Sequence, residues 1–338
     1  EVFRGLLPRH TYGGDLSQPA WSLYSNVTNW KGLIEFERTL KAFMPQQSLL
    51  LADVSVLRHT YQSRILNTVH ATAVTQEHES PFVPLALGLS VDGDSFTNEG
   101  PYDVTTQTQT GNYWNLFSSL FLHLDFFPEN VNQMMAEAME NRGTLIGGIP
   151  RFYEGIDSAY ASGYIDHLMR SGQSTKASNA IMSFMFLAAS TKGYSIPEVV
   201  PFFNGRFDLQ QYDQMTRFAP WNMGMYNNHL YIEGGLPMTE PLGAVAGAMA
   251  ANMQHALYLE TDDDQRGWGL KLLAGIPPSW FSKSGLVVAL REVPTSFGLL
   301  SLELRDGRVS YTLQETEHSL RPAFVDVRSP APLATATR

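Results

Sequence analysis

Residues 29–74 read NWKGLIEFERTLKAFMPQQSLLLADVSVLRHTYQSRILNTVHATAV. The apolar residues recur at about 3.6 positions, which predicts a helix that is capped by Asn29 and runs to about residue 43. Pro45 ends that helix, and a second apolar stripe predicts another helix over residues 47–74. Because the connection between them is short, the two helices are expected to form an antiparallel hairpin.

The rest of the chain predicts more helices, then strands. Helices are expected at 113–126, 130–141, 158–170, 175–190 and 242–259, for about eight in all. The acidic run at 262–264 is expected to be the solvated end of the last helix. Short strands are expected at 83–89, 285–293, 299–305 and 308–313. Asp306-Gly307 is a strong hairpin signal, and the last three strands are expected to join a larger β element.

The composition excludes several classes of protein. The 338 residues are 43% hydrophobic and 17% charged, unlike a disordered chain, a coiled coil or a collagen-like repeat. The net charge of −10, without any basic run, argues against a nucleic-acid partner. No apolar run reaches the roughly 20 residues of a membrane span.

The sequence also gives no reason to expect a cofactor or a metal. Cysteine is absent, so thiolate zinc sites, disulfides and cysteine nucleophiles are impossible. The nine histidines form no close pair of the kind that catalytic zinc sites use. Phosphate-binding loops, dinucleotide fingerprints and nucleophile elbows are absent as well.

Several stretches together carry a family resemblance. They are GPYD at 100–103, GNYWNLF at 111–117, RFYEGID at 151–157, TEPLGA at 239–244, GIPPSWF at 275–281 and PTSFG at 294–298. The combination resembles the six-hairpin glycosidase superfamily, whose enzymes fold as an (α/α)6 toroid. The resemblance covers about residues 100–310 and is to largely uncharacterised bacterial members.

The resemblance implies a mainly α fold in three parts. A helical toroid domain is expected over residues 1–265, a small C-terminal antiparallel β segment over 266–328 and a flexible tail over 329–338. A toroid of six hairpins has twelve helices, whereas the sequence predicts about eight. The chain also starts at Glu1 rather than at Met. We therefore expect an N-terminal portion or a second chain to complete the fold.

The activity implied by the resemblance is glycoside hydrolysis of a poly- or oligosaccharide, with inversion at the anomeric carbon. Such hydrolysis needs two carboxyl groups across the scissile bond. The candidates are Asp157, Asp103, Glu154 and Glu99, and the sequence leaves open which is the acid and which the base. Asp157 could instead cap a helix, and the loop carboxylates could belong to turns.

Substrate binding is expected from side chains near these carboxylates, since aromatic rings offer flat faces for stacking. The candidates are Tyr102, Trp114, Tyr113, Tyr160, Arg151 and Asp15. For Trp114, Tyr113 and Tyr160, packing in a helical core is the alternative interpretation, and for Asp15 it is a turn.

Two other functions stay open at this stage. The chain could be a polysaccharide lyase on the same toroid, with a base such as His59 or Tyr61 and with Arg151 facing an anionic sugar. It could also be a non-catalytic subunit that binds carbohydrate or takes part in an assembly. A periplasmic or secreted location is expected, with a cytoplasmic one as the alternative.

Overall fold

The computed structural model describes residues 4–11, 19–72, 86–87, 109–124, 126–141, 143–152, 155–188, 199–201, 243–263 and 266–328. About 53% of these residues are helical, in eight helices, and small sheets account for the strands. The mainly α class is therefore confirmed, while the toroid stays a prediction. The predicted tail at 329–338 lies outside the described residues.

The backbone contacts divide the chain into two compact units. The first contains residues 1–164 and 183–249, and the second contains residues 165–182 and 250–338.

The first unit begins with the predicted helical hairpin. Helix α1 covers Leu23–Phe43 and helix α2 covers Ser48–Thr72. Helix α1 starts before the predicted cap Asn29 because the hydroxyl of Ser22 accepts a hydrogen bond from the backbone N–H of Ser25 at 3.1 Å. The prediction of two helices joined by a short connection is confirmed.

A buried acid joins the two helices of the hairpin. The side chain of Glu37 is 6% exposed and lies 2.6 Å from Nε of Arg58 on α2. Lys41, one turn further along α1, reaches the other oxygen of Glu37 at 2.8 Å. The apolar stripe did not predict this ion pair, since it depends on how the helices face each other.

Two further helices of the first unit pack against each other, and the first of them also packs against a small sheet. Helix α3 covers Gln109–Leu124 and helix α4 covers Glu129–Asn141, and both lie close to their predicted ranges. The sheet has four antiparallel strands in chain order. They are β4 (Leu145–Ile146), β5 (Ile149–Phe152), β6 (Gly155–Asp157) and β7 (Val199–Pro201). The sequence did not predict these short strands.

A second small sheet lies near the start of the chain. It consists of β1 (His10–Thr11), β2 (Pro19–Ser22) and β3 (Ala86–Leu87), all antiparallel. Strand β3 falls within the strand predicted at 83–89.

Three helices have residues in both units. Helix α5 covers Ser162–Arg170, α6 covers Ser174–Ala188 and α7 covers Gly243–Leu257. A one-turn 3-10 helix at Ser158–Tyr160 precedes α5, so the single helix predicted over 158–170 is interrupted.

Helix α5 begins in direct contact with the backbone of α3. A Cβ atom on Gly163 would lie 1.6 Å from the carbonyl oxygen of Ser119, so only glycine fits at this position. The next residue, Tyr164, donates its backbone N–H to Oγ of Ser119 at 3.0 Å. This contact fixes the start of α5 within the first unit.

The second unit is built on two small sheets. Strand β8 (Tyr258–Asp263) pairs antiparallel with β9 (Gly267–Leu272), and β13 (Val325–Val327) pairs parallel with β9. The expectation of a helix end at 262–264 is wrong for Asp262 and Asp263, which belong to β8. The predicted boundary at residue 265 falls between these two paired strands. A short helix, α8 (Pro278–Phe281), follows β9.

The other sheet contains the three predicted C-terminal strands. They are β10 (Val287–Thr295), β11 (Gly298–Arg305) and β12 (Arg308–Gln314), in that order. Asp306 and Gly307 form the two-residue turn between β11 and β12, with φ angles of 49° and 75°. The predicted hairpin is therefore confirmed, because such turns need positive φ at both positions.

One apolar core unites these elements. Its buried members come from both sheets, from α8 and from the segments that connect them: Tyr258, Leu270, Leu272, Leu273, Ile276, Phe281, Phe297, Leu300, Leu302 and Leu304. Every second residue of β11 is buried, starting at Gly298. The sheet of β10, β11 and β12 has one apolar face that must be shielded from water. The sheet of β8, β9 and β13 shields it by side-chain packing and not by strand pairing.

Candidate functional site

Asp157 is the one candidate carboxylate among the described residues, and it lies in a defined turn of the first unit. It ends β6 and has extended backbone angles (φ −110°, ψ 108°). Its Oδ1 accepts the backbone N–H of Ala159 at 3.0 Å, which caps the 3-10 helix. The residue is nevertheless 2% exposed, so a carboxyl group is buried at this turn.

Arg151 lies on the neighbouring strand. In the β5–β6 ladder it is opposite Ile156, the residue before Asp157. Because side chains alternate along a strand, the ladder places Arg151 and Asp157 on opposite faces of the sheet. The guanidinium of Arg151 donates to the carbonyl oxygen of Gly143 at 3.2 Å. The sheet therefore does not bring this cation to the carboxyl group.

The aromatic candidates divide into one core residue and one partly exposed residue. Trp114 on α3 is 5% exposed, which is the burial of an interior side chain. Tyr160, in the turn capped by Asp157, is half-buried and packs edge-on against Phe117, with ring centroids 5.8 Å apart. Tyr160 is thus the aromatic candidate that the structure places in the same turn as Asp157. Tyr113 belongs to α3, but its side chain lies outside the described residues.

Five candidate residues lie outside the described residues altogether. They are Asp103, Glu154, Glu99, Tyr102 and Asp15. Their expected roles stay predictions, and the partner of Asp157 is to be sought among the three catalytic candidates Asp103, Glu154 and Glu99.

The pair considered for a lyase has other partners. The hydroxyl of Tyr61 donates to Oδ1 of Asn26 at 2.8 Å, across the helical hairpin. Burial raises the pKa of Tyr61 to about 12, whereas a phenol that abstracts protons near neutral pH needs a lowered pKa. His59 is exposed, and its Nδ1 lies 2.7 Å from the carbonyl oxygen of Ser55. This geometry gives proton abstraction by Tyr61 no support.

The described part of the chain contains neither a metal-binding cluster nor a membrane-spanning helix. It contains no group of three or more histidine, aspartate or glutamate side chains that could hold a metal ion. None of its helices is both long enough and apolar enough to cross a membrane.

The sequence analysis missed a buried polar pair in the second unit. Asp166 on α5 has a side chain that is 2% exposed, and its Oδ1 lies 2.8 Å from Nδ1 of His255 on α7. Asp166 has buried apolar neighbours along α5, Ile165 and Met169. An aspartate on the apolar face of a short amphipathic helix was the signal available in the sequence, because such a position requires a partner. The identity of the partner could not be read from it.

Comparison of the chain with known protein families, with curated proteins and with solved structures finds no match. The resemblance to six-hairpin glycosidases therefore rests on the sequence motifs alone.

Proposed function

We propose that the chain is a glycoside hydrolase that cleaves a poly- or oligosaccharide, with Asp157 as one of its two carboxyl groups. The observation that carries the proposal is the burial of this carboxyl group at the turn before the 3-10 helix. Asparagine and serine cap helices as well as aspartate does, and neither buries a charge. Acid–base chemistry, unlike capping, requires the carboxyl group itself.

The surroundings of Asp157 suit a sugar site. Tyr160 follows in the same turn, and its half-buried ring, which packs against Phe117, is the aromatic candidate nearest to Asp157 in the chain. The motif RFYEGID that ends at Asp157 is also among the stretches that resemble the glycosidase superfamily. Inversion, which the resemblance implies, would require a second carboxyl group about 6.5–9.5 Å away to activate water. Asp103, Glu154 and Glu99 are the candidates for that group.

The first test separates the chemistry of Asp157 from its capping role. Reducing ends and ultraviolet absorbance are followed together while the protein acts on a panel of polysaccharides. We expect new reducing ends without absorbance, and a loss of about 100-fold or more in rate for Asp157→Asn. Because asparagine can accept the same hydrogen bond from Ala159, the melting temperature of Asp157→Asn should stay close to that of the wild type.

Three results would contradict the proposal. Full activity in Asp157→Asn, together with lower stability in Asp157→Ala, would leave Asp157 as a cap only. Ultraviolet absorbance of the products would indicate a lyase. Binding to a polysaccharide without any cleavage would indicate a non-catalytic carbohydrate-binding protein.

The second carboxyl group and the stereochemistry can be tested on the same substrate. The variants Asp103→Asn, Glu154→Gln and Glu99→Gln are compared with Asp157→Asn, and we expect one of the three to lose a similar share of the rate. Proton NMR of the fresh product should show the anomeric configuration opposite to that of the substrate. Retention would overturn inversion without removing the hydrolase assignment.

A further inference from the structure

We propose that Asp166, Asn252 and His255 form a proton-transfer site in the second unit, at which Nε2 of His255 takes the proton of a hydroxyl group on a bound ligand. The inference does not depend on Asp157 or on glycoside hydrolysis. It rests on the way in which three polar side chains are held by two helices of that unit.

Asp166 orients the imidazole of His255. An ionised carboxylate only accepts hydrogen bonds, so the 2.8 Å contact is a bond from Nδ1–H of His255 to Oδ1 of Asp166. The proton on Nδ1 leaves the lone pair of the neutral ring on Nε2. The carboxylate is 2% exposed while the imidazole is 22% exposed, so the buried acid lies behind a ring that is partly open to solvent.

Nε2 is the ring atom that is left for a ligand. The bond to Asp166 accounts for Nδ1, and within the described ranges Nε2 donates to or accepts from no residue. A hydroxyl group that approaches the exposed part of the ring can therefore bind to Nε2 without displacing a protein partner.

Asn252 supplies the second polar group. It precedes His255 by three residues on α7, a spacing that puts two side chains on the same side of a helix. The residue is 0% exposed, and neither its amide nitrogen nor its amide oxygen has a hydrogen-bond partner among the residues that the structure describes. Burial of an amide without hydrogen-bond partners destabilises the fold, so a purely structural role does not explain why an asparagine stands at this position.

Close packing holds the two helices in place. A Cβ atom on Gly275 would lie 2.7 Å from Cβ of Ala256 and 2.8 Å from Sδ of Met169. Ala256 is the residue after His255, and Met169 is one helical turn after Asp166. The backbone at Gly275 therefore packs against both helices beside the pair, which limits their freedom to move apart.

The chemistry is a single proton transfer. Nε2 forms a bond to the proton of the ligand hydroxyl, the O–H bond breaks, and its electron pair stays on the ligand oxygen. The resulting imidazolium faces the carboxylate of Asp166, which stabilises its charge. The amide of Asn252, with donors and an acceptor, would hold a polar group of the same ligand. A compound with more than one hydroxyl group meets both requirements.

The tautomer of His255 is the first test, and it is measured in the unaltered chain. Long-range ¹⁵N–¹H spectra of the full ¹⁵N-labelled chain at pH 8 report which ring nitrogen carries the proton, and the spectrum of His255→Gln assigns the signal. We expect His255 to be protonated on Nδ1. The exposed His70 of α2 provides the reference. Protonation of His255 on Nε2, or the same mixture as in His70, would overturn the proposal.

The reactivity of Nε2 is the second test. Diethyl pyrocarbonate acylates unprotonated ring nitrogens, and mass spectrometry of peptides gives a rate for each histidine. Despite its lower exposure, His255 should react about tenfold faster than His70, and Asp166→Asn should remove most of this advantage. A slower reaction than that of His70 would mark His255 as a partly buried structural ring.

The role of Asn252 is tested by measuring the melting temperature of a variant without the amide. Leucine has a similar size and no polar atoms, so Asn252→Leu should raise the melting temperature by several degrees if the amide has no structural partner. The NMR signal of His255 should stay that of the Nδ1 tautomer in this variant. A lower melting temperature would show that the amide stabilises the fold and would remove Asn252 from the site.

Discussion

Two buried aspartates, nine residues apart in the sequence, are held in opposite ways. Asp157 binds the backbone N–H of Ala159, two residues further along the chain. Asp166 binds the ring of His255, 89 residues away. The first contact is made by any chain that forms the turn, whereas the second exists only once α5 and α7 have packed.

These two kinds of contact determine which residues can replace each aspartate. A cap needs an oxygen and no charge, so several residues can replace Asp157 in that role. A carboxylate beside an imidazole needs its charge, because the charge holds the ring proton on Nδ1 and stabilises the imidazolium. Variants that separate charge from hydrogen bonding therefore distinguish the two sites.

The largest effect is expected in the segment between the two aspartates. Gly163→Ala would put a methyl group 1.6 Å from the carbonyl oxygen of Ser119, so the backbone of α3 or α5 must shift. We expect the free energy of unfolding to fall by about 3 kcal/mol or more, measured by denaturant titration. If Gly163→Ala is tolerated, the start of α5 is not fixed by this contact.

Gly32 offers the matched control. It is an exposed glycine of α1, and nothing lies within 4 Å of the Cβ that alanine would add. Gly32→Ala should raise the free energy of unfolding by about 0.5–1 kcal/mol, since alanine favours the helix. Opposite signs for the same chemical change would locate the effect in the contact with Ser119.

The pair in the second unit should come next in size. Asp166→Ala removes the acceptor of Nδ1–H, and we expect a loss of about 1.5–3 kcal/mol in the free energy of unfolding, as for hydrogen bonds to charged groups. His255→Ala and the double variant complete a cycle, which should give a coupling energy of at least about 0.5 kcal/mol. Additive losses would mean that the two side chains do not interact in solution.

The cap at Asp157 should have a smaller effect. Asp157→Ala should lower the free energy of unfolding by about 1 kcal/mol, and Asp157→Asn by much less, because asparagine also accepts from Ala159. Denaturant titrations of the two variants at neutral pH measure the difference. An equal loss in both variants would show that the charge, rather than the cap, stabilises this turn.

The sequence predicted elements whose signals are local. The hairpin of α1 and α2 follows from apolar spacing and Pro45, and the β11–β12 turn follows from Asp306-Gly307. Asp157 was recognised both as a possible cap and as a possible catalytic group for the same reason. These features depend on residues that are close together in the chain.

Features that depend on distant partners were not predicted. Strand β8 contains Asp262 and Asp263 of the acidic stretch that was expected to be a helix end, and the pairing of β8 with β9, which also pairs with β13, overrides that local pattern. Likewise, nothing near Asp166 in the sequence points to His255. A single sequence shows that a buried acid needs a partner and does not show which distant residue supplies it.

Glu37 is a third buried carboxylate. It differs from Asp157 and Asp166 in that the partners described above are the cations Arg58 and Lys41. Burial alone would raise its pKa, but hydrogen bonds from Lys41 and Arg58, together with their charges, outweigh burial and leave the pKa below its ordinary value. A carboxyl group whose pKa is lowered in the folded state stabilises the fold above its unfolded pKa of about 4.3. That contribution is lost as the pH falls through the folded pKa.

Glu37→Gln should therefore cost most near neutral pH and least in acid. We expect the free energy of unfolding to fall by less than about 1 kcal/mol at pH 7, because Lys41 is 58% exposed and water screens its charge. Denaturant titrations from pH 7 down to about pH 3 should show the wild type and the variant converging, because protonated Glu37 is as neutral as glutamine. Glu35→Gln, in an exposed pair on the same helix, should change the free energy by less than about 0.5 kcal/mol. A gap for Glu37→Gln that stays constant over this range would mean that the carboxylate contributes through packing rather than through its charge.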